Sequence, residues 1–492
     1  MPGTTVTVAA SSGPAALDVP DEACLFLAGL TERGDTTAPI ELRSMADFTR
    51  LCGTPQPYSW AYHAIRTHFE DGGAFIRLGR AVGAGATKGA FALHDRAASP
   101  GLVTLNVTAA SEGSWSSQVG LTVADGLVAG TFDLTVALAD GSVVEIYRGL
   151  TSPAAAAAAL TASVLVDATD AASVTAAPNN NPKVGVFALT AGTDDRASLA
   201  AADLVDVLDD LFPPELGTGI VSIPGYDSST VGAGVLAHCQ ANSRIGVLHT
   251  PIGASQAAAK AAAAALVTAG APGSFLTLVW PWVTYSDNGV SYTVPPDGFY
   301  AAGRTSAILA EGVWRAAAGA LTRSKFLTGV EAGNSVGSID GDALDDAHVT
   351  VIRVIAGRPE VYGARSLSTD AADWDLLKYR DLVNFVAVQL GAAVEDLEFG
   401  TVDGQGRYLA SLAGAIRGVL APMAGAGAFY PRVDAVSLAE LDPGYAIDVS
   451  ATVNTPTLLA QGKVAALVTI RPSPSATGIN ILLTKAALTA SL

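Results

Sequence analysis

Four histidines are the first candidates for acid–base or metal chemistry in this chain. His63 and His68 lie five residues apart in a predicted helix. Each helical residue turns about 100°, so the two rings lie roughly 140° apart around the axis and do not converge on one metal ion. His238 and His249 stand singly among apolar residues. We therefore interpret all four as structural histidines.

Glycine and acidic clusters are the next candidates. Residues 79–89, GRAVGAGATKG, are glycine-rich like a phosphate-binding loop, but they lack the closing Gly-Lys-Ser/Thr and its helix. We predict a linker there. Residues 340–346 hold four aspartates without the spacing or glutamate of an EF-hand, which favours a solvated loop over a calcium site. Ser222 does not lie in a Gly-x-Ser-x-Gly elbow. The sequence predicts no enzyme, cofactor or metal site.

The charge and hydrophobicity of the chain limit the classes of molecule that it could bind. The 492 residues are 50% hydrophobic and 15% charged, with a formal net charge of −18. An acidic chain without a basic patch is ill suited to nucleic acid or to anionic lipid. Few charges on so apolar a chain suggest that much of its surface is covered in an assembly.

The cysteines and the apolar runs of the sequence indicate the cellular compartment of the protein. Cys24, Cys52 and Cys239 are odd in number and far apart, which predicts buried free thiols in a reducing cytosol. The N-terminus shows no secretory signal pattern. A charge-free run over residues 261–286 is broken by Gly270-Ala-Pro-Gly273, so we predict a helix, a turn and a buried strand rather than a membrane span.

The order of predicted elements gives an α/β (α+β) multidomain fold, with a mixed-sheet core built from N- and C-terminal parts and an inserted β-rich domain. Four runs of alternating apolar and polar residues predict four strands of the insertion; they start at Val103, Gln118, Thr131 and Ser142. A weaker strand is predicted at Val174. Residues 333–348 are predicted to be a flexible acidic connection. The predicted units are a strand arm at 1–20, a first core segment at 21–93, the insertion at 94–186, a second core segment at 187–345 and a C-terminal core with a terminal strand arm at 346–492.

Both ends of the chain carry alternating apolar patterns. Strand edges of this kind either complete the sheets of the protomer or pair with a neighbouring copy, because strand addition links subunits by main-chain hydrogen bonds. The pattern leaves both alternatives open. The candidate inter-subunit strand residues are Thr5, Val6, Thr7, Val8, Val464, Leu467, Val468, Ile470, Ile479 and Ile481.

The most distinctive stretch is residues 280–319, which hold three tryptophans and three tyrosines in a chain otherwise poor in aromatics. It predicts a buried strand ending at Trp280-Pro281-Trp282, a turn, and a helix after Pro295-Pro296-Asp297-Gly298. This stretch resembles the contractile tail sheath proteins, which are found in phage tails and related injection systems. The resemblance lies in four successive features: a strand that ends in Pro-Trp-Val, a Pro-Pro-x-Gly turn, an Ala-Gly helix and a final Gly-Val-Trp.

Other segments are similar to that family in the same order. They are 25–34 with the Gly-x-Thr-x-Arg-Gly ending, Gly72-Gly73 and the next strand, Glu112-Gly113-Ser114-Trp115 before the insertion, 189–195 at the return to the core, and 361–367 with the helix that follows. The resemblance spans about 22–390. The N-terminus keeps only Pro2-Gly3 of the family's usual Pro-Gly-Val-Tyr, and Ser117 stands where asparagine is usual.

The resemblance implies a structural role. The expected protein is a sheath subunit that polymerises as stacked hexameric rings around an inner tail tube and contracts to drive the tube through a host envelope. Its expected partners are other copies of itself, the inner tube protein, and baseplate and tail terminator proteins, in a virion tail assembled in the host cytoplasm. No nucleic-acid or membrane contact by this chain is expected.

Three basic residues, Arg365, Lys378 and Arg380, are notable in so acidic a chain. They either contact the tube or a neighbouring subunit, or they lie on an exposed helix face. Two other classes remain as alternatives: a secreted or surface adhesin or structural β-protein, and a hydrolase for which no nucleophile–base pair can be named.

Overall fold

The computed structural model describes residues 20–97, 101–267, 271–370, 372–434, 436–437 and 439–477. The candidate strand residues Thr5, Val6, Thr7, Val8, Ile479 and Ile481 lie outside the described residues.

The strands, in chain order, are β1 (Leu25–Gly29), β2 (Ile40–Leu42), β3 (Ile76–Arg80), β4 (Ala90–His94), β5 (Val103–Ala109), β6 (Val119–Asp125), β7 (Phe132–Leu138), β8 (Val144–Leu150), β9 (Val166–Asp170), β10 (Gly185–Ala188), β11 (Ile220–Ser222), β12 (Ile245–His249), β13 (Leu276–Trp280), β14 (Val283–Asp287), β15 (Val290–Val294), β16 (Gly329–Val330), β17 (Val349–Ile355), β18 (Arg358–Tyr362), β19 (Arg432–Val433), β20 (Glu440–Asp442), β21 (Tyr445–Asp448) and β22 (Leu467–Ile470).

The α-helices differ widely in length, and α9 and α10 of the C-terminal region are the longest of those described. In chain order they are α1 (Met45–Cys52), α2 (Ala61–Glu70), α3 (Pro153–Leu160), α4 (Ala201–Leu211), α5 (Ser228–Ala241), α6 (Gln256–Leu266), α7 (Asp297–Ala310), α8 (Ser338–Asp345), α9 (Leu377–Val394), α10 (Arg407–Gly425) and α11 (Pro456–Ala460).

An eight-stranded sheet forms the core, in the order β18-β17-β13-β12-β11-β1-β3-β2. The inner strands are parallel, while β2 and β18 close the two edges in antiparallel pairing. Every residue of Leu25–Gly29 is buried, as expected for a parallel strand that has helices on both faces. The strands of this sheet come from residues 25–80 and again from 220–362, so the chain leaves the core and returns to it.

Helices cover both faces of this sheet and define two apolar cores. Phe48, Ile65 and Phe299 pack one face from α1, α2 and α7. Leu208 and Val235 pack the other face from α4 and α5. The predicted α/β fold with a mixed sheet is therefore confirmed.

Residues between β3 and α4 form separate antiparallel sheets. One has the order β10-β6-β7-β8 and the other β4-β5-β9, and a third apolar core centred on Trp115 and Phe132 lies between them. A bridge between Thr87 and Thr193 closes the base of this unit. All four period-2 runs form strands, but Val174 lies in none, which corrects that prediction.

The C-terminal region packs α9 and α10 against the short ribbon β21-β22, and a second short ribbon, β19-β20, lies largely exposed. The predicted flexible connection at 333–348 is wrong over half its length, because Ser338–Asp345 forms α8. Leu344 is fully buried in the core on the α4 and α5 side of the sheet, and this apolar contact holds a helix that the Gly-Asp-rich sequence disfavours.

Candidate assembly surfaces

The tryptophan-rich segment is a packing element. β13 ends at Trp280, whose indole Nε1 donates to the Ala254 carbonyl at 2.8 Å. Trp282 Nε1 donates to the Thr250 carbonyl at 2.7 Å, and its ring meets Trp60 edge-on at 5.2 Å between centroids. Both indole donors are satisfied by backbone, as buried tryptophans require. Through these contacts the segment packs the carboxyl ends of the central strands against the start of α2.

The candidate histidines are dispersed and each has a structural setting. His63 Nδ1 lies 2.7 Å from the Tyr285 hydroxyl, and His68 is fully buried in α2. His238 Nδ1 lies 2.7 Å from Asp209 Oδ1. His249 Nδ1 lies 3.0 Å from Asp297 Oδ1, with both side chains buried, and this contact joins the end of β12 to the first turn of α7.

An acid–base site would need a nucleophile beside one of these rings. His249 Nε2 and the Ser222 hydroxyl are both buried, and neither has a hydrogen-bond partner among the described residues. Burial lowers the pKa of His63 and of His68 to about 4, so both rings are neutral near pH 7. Within the described ranges, no group of three or more His, Cys, Asp or Glu side chains could hold a metal ion.

The glycine-rich loop after β3 is occupied by contacts to the chain returning from the insertion. The Gly83 amide donates to the Asp194 carbonyl at 2.8 Å, and the Gly85 amide donates to Asp195 Oδ2 at 2.9 Å. A carboxylate of the protein thus lies where a phosphate would need to bind. The loop is the base of the inserted unit, in agreement with the predicted linker.

Arg365 lies at the surface of the C-terminal region within a cluster of carboxylates. Its Nε donates to Asp345 at 2.8 Å, and its Nη1 lies 3.3 Å from Asp375. Partial burial works to lower the pKa of Arg365, but the hydrogen bond and charge of Asp345 outweigh it and raise that pKa. The acidic stretch before β17 therefore serves as a counter-charge for Arg365.

Lys378 and Arg380 are buried, which corrects the alternative that they lie on an exposed helix face. Lys378 Nζ donates to the Ser473 carbonyl at 2.7 Å, and burial lowers the pKa of this lysine to about 8. The Arg380 guanidinium lies 3.7 Å from the Trp374 ring centre, and burial lowers its pKa to about 10. Contact of Arg365, Lys378 and Arg380 with a tube or a neighbour stays a prediction.

The ribbon β21-β22 is one of two short strand pairs in the C-terminal region, and it is less exposed than β19-β20. Tyr445 pairs with Ile470 and Asp448 with Leu467, in antiparallel register. Among the described residues neither strand has a second strand along its outer edge. Leu467 is 56% exposed, while Val464, Val468 and Ile470 pack partly against the α9–α10 core. A two-stranded ribbon is marginal alone in water, and its free edges can accept further strands.

One face of α10 is lined by small residues, and no described residue packs closely on it. A Cβ added at Gly414 or at Gly418 would meet no described atom within 4 Å, whereas Leu412, Ile416 and Leu420 on the opposite face are buried. By length and composition alone this helix could cross a membrane, a test that helices of soluble proteins also pass. The i, i+4 spacing of Ala410, Gly414 and Gly418 is a sequence signal for close helix packing that our sequence interpretation missed.

No protein-family model matches the sequence, and no curated protein is similar to it. Solved structures match over almost the whole chain. The sheath tail protein of Listeria innocua has a TM-score of 0.58 at 12% identity and covers 92% of this chain and 96% of that chain. The sheath tail protein of Desulfitobacterium hafniense has a TM-score of 0.55 at 14% identity, covering 90% and 93%.

An assembled sheath matches equally well. The anti-feeding prophage helical sheath in its contracted state has a TM-score of 0.55 at 16% identity and covers 99% of both chains. The fold of this chain is therefore the fold of contractile sheath proteins, and the resemblance drawn from its motifs is confirmed at that level.

Proposed function

We propose that this chain is the sheath subunit of a contractile tail or injection apparatus. It polymerises as stacked hexameric rings around an inner tail tube, and contraction of the polymer drives that tube through the envelope of a target cell. The observation that carries the proposal is the open β21-β22 ribbon, carried on a fold shared with solved sheath proteins. The protein would reside in the tail of a virion or of a related particle, assembled in the host cytoplasm.

Strand addition at the ribbon supplies the links between subunits. Its two outer edges offer unpaired backbone groups beside exposed Leu467. The alternating residues Thr5–Val8 of one copy and Ile479–Ile481 of another are the strands we expect to add there. In such a link the main-chain hydrogen bonds supply the affinity, and the alternate side chains supply the specificity.

The open face of α10 supplies a second contact. Small residues let a partner backbone approach closely, and Arg407 and Arg417 are exposed on the same helix. We expect this face to meet the inner tube or the adjacent subunit, with baseplate and tail terminator proteins capping the polymer. Arg365 would take part in the tube contact if carboxylates of the tube replaced Asp345 and Asp375 as its ion-pair partners on assembly.

Contraction requires no cofactor in this account. An extended lattice relaxes to one that buries more interface, so the work is stored in the metastable arrangement of subunits. Among the described residues no group of three or more His, Cys, Asp or Glu side chains could hold a metal ion. The proposed role is structural.

Truncations of the two arms test the proposal. Removal of residues 464–492 would delete β22 and the Ser473 carbonyl that Lys378 binds, so it would damage the protomer itself. Removal of residues 1–10 or 478–492 spares every described element. We expect each of these two variants to remain a folded monomer with an unchanged melting temperature and to form no polymer.

The matched control is Leu127→Ser, at a fully exposed position of the β6–β7 hairpin in the inserted unit. This variant should polymerise like the parent chain. Normal sheaths from either truncation would refute strand exchange as the link between subunits.

A further inference from the structure

An apolar pocket of about 330 Å³ opens where the described region of the chain begins. Ile308, Val313 and Met423 form its buried walls, and Trp314 and Phe385 lie partly buried at its sides. Pro20, the first described residue, belongs to the same wall. Apolar side chains that enter this recess would stabilise it, because removal of apolar surface from water is favourable.

The residues that precede Pro20 have the pattern to cover it. Leu17-Asp18-Val19 reads apolar, charged, apolar. A residue before proline is held in extended conformation, and alternate side chains of an extended segment point to the same side. In an extended segment this sequence pattern would therefore place Leu17 and Val19 on one side and Asp18 on the other. Leu17 lies within about 11 Å of Pro20, since each residue spans at most ~3.6 Å.

We propose that Leu17 and Val19 of this same chain fill the pocket and anchor the N-terminal segment on α10 and on the Gly312–Trp314 turn. A tether of one to three residues gives these side chains an effective concentration near the pocket that a second copy in dilute solution does not reach. The inference concerns the single protomer and does not depend on the sheath function.

The anchor has a consequence for the arm beyond it. Eight residues lie between Val8 and Leu17, so nine residue steps span at most about 32 Å. With Leu17 fixed beside the end of α10, Thr5–Val8 would leave every protomer from one point of its surface. Such a fixed exit would shorten the search of the arm for its partner strand.

Site-specific cross-linking tests the anchor in the full-length chain. Leu17→Cys is combined with Ala426→Cys, which replaces an exposed residue of the pocket rim. The chain is treated with a short bismaleimide at submicromolar concentration. The native thiols Cys24, Cys52 and Cys239 are fully buried, and burial raises their pKa values, so they compete little. The matched control pairs Leu17→Cys with Val174→Cys, an exposed position of the inserted unit.

We expect a link between residues 17 and 426 within one chain and none between 17 and 174. A link formed only between two copies, or no link at all, would overturn the proposal. A second measurement is acrylamide quenching of Trp314, isolated by difference from Trp314→Phe. Leu17→Asp with Val19→Asp should raise its quenching constant about twofold while Asp18→Asn leaves it unchanged, and equal quenching in all variants would contradict the anchor.

Discussion

Arg304 and Asp381 form a buried, bidentate ion pair that joins the helix layer of the central sheet to the C-terminal region. Arg304 Nε donates to Asp381 Oδ2 at 2.7 Å and Nη2 donates to Oδ1 at 2.9 Å. The remaining Arg304 nitrogen donates to the Glu22 carbonyl, at the start of the described chain. One guanidinium thus fixes α7, α9 and the segment leading into β1 relative to each other.

Loss of one partner of this pair should destabilise the protomer strongly. Asp381→Leu leaves the Arg304 charge buried without a partner, and removal of one member of a buried pair costs about 3–5 kcal/mol. Arg304→Leu with Asp381→Leu should recover part of that loss. The unfolding free energy from urea titration measures both effects.

The exposed i, i+4 pair Glu311–Arg315, just after α7, is the matched control. Glu311→Gln should change the unfolding free energy by at most ~0.5 kcal/mol. An Asp381→Leu variant as stable as Glu311→Gln would show that the buried pair does not hold these elements together.

Gly298 allows α7 to approach α2. A Cβ at this position would lie 1.9 Å from the Ala64 carbonyl oxygen. We expect Gly298→Ala to lower the unfolding free energy by about 3 kcal/mol or more, because neither backbone can move without disturbing the core. Gly391→Ala in α9, where the added methyl meets no described atom within 4 Å, should instead raise it by ~0.5–1 kcal/mol. Thermal unfolding of the two variants provides the comparison, and equal melting temperatures would contradict the close contact.

The glycines on α10 should separate folding from assembly. Gly414→Leu and Gly418→Leu replace poor helix formers at open positions, so each should stabilise the monomer by up to ~1 kcal/mol. The same side chains would block a partner that packs closely on this face, so electron microscopy should show few or no polymers. Gly391→Leu serves as the control with a similar gain in stability and normal assembly. Normal polymers from the α10 variants would exclude this face as an interface.

His68 should make stability depend on pH. Burial lowers the pKa of His68 to about 4, against ~6.5 in an unfolded chain, so between these values the unfolded state binds more protons. The stabilisation is fully present above pH 6.5 and is lost as the pH falls towards 4. At pH 5 the loss from this residue is about 2 kcal/mol. Relative to the parent chain, His68→Leu should gain that amount between pH 7.5 and pH 5 in urea titrations. Parallel pH profiles would show that the pKa of His68 is the same in the folded and unfolded states.

Local patterns predicted much of the fold because they encode burial directly. The uninterrupted apolar run Leu25–Gly29 forms a central parallel strand. The helix predicted after Pro295-Pro296-Asp297-Gly298 is α7, which begins two residues earlier than expected, at Asp297. These features depend on residues within a few positions of each other.

The remaining features depend on contacts between residues far apart in the sequence. Arg380 is buried because the rings of Phe275 and Trp374 cover it, and Lys378 because the Ser473 carbonyl, 95 residues away, accepts its hydrogen bond. No local pattern encodes such partners, so the sequence left an exposed helix face as one of two alternatives for these residues. The helix α8 was missed for the same reason, since Leu344 finds its apolar contacts in the distant sheet core.

Electron microscopy of the purified chain with its tail-tube partner tests the central claim most directly. The account predicts striated hollow tubes, or stacks of rings wide enough to enclose a narrower tube. A chain that stays a dispersed monomer in the presence of that tube would contradict it.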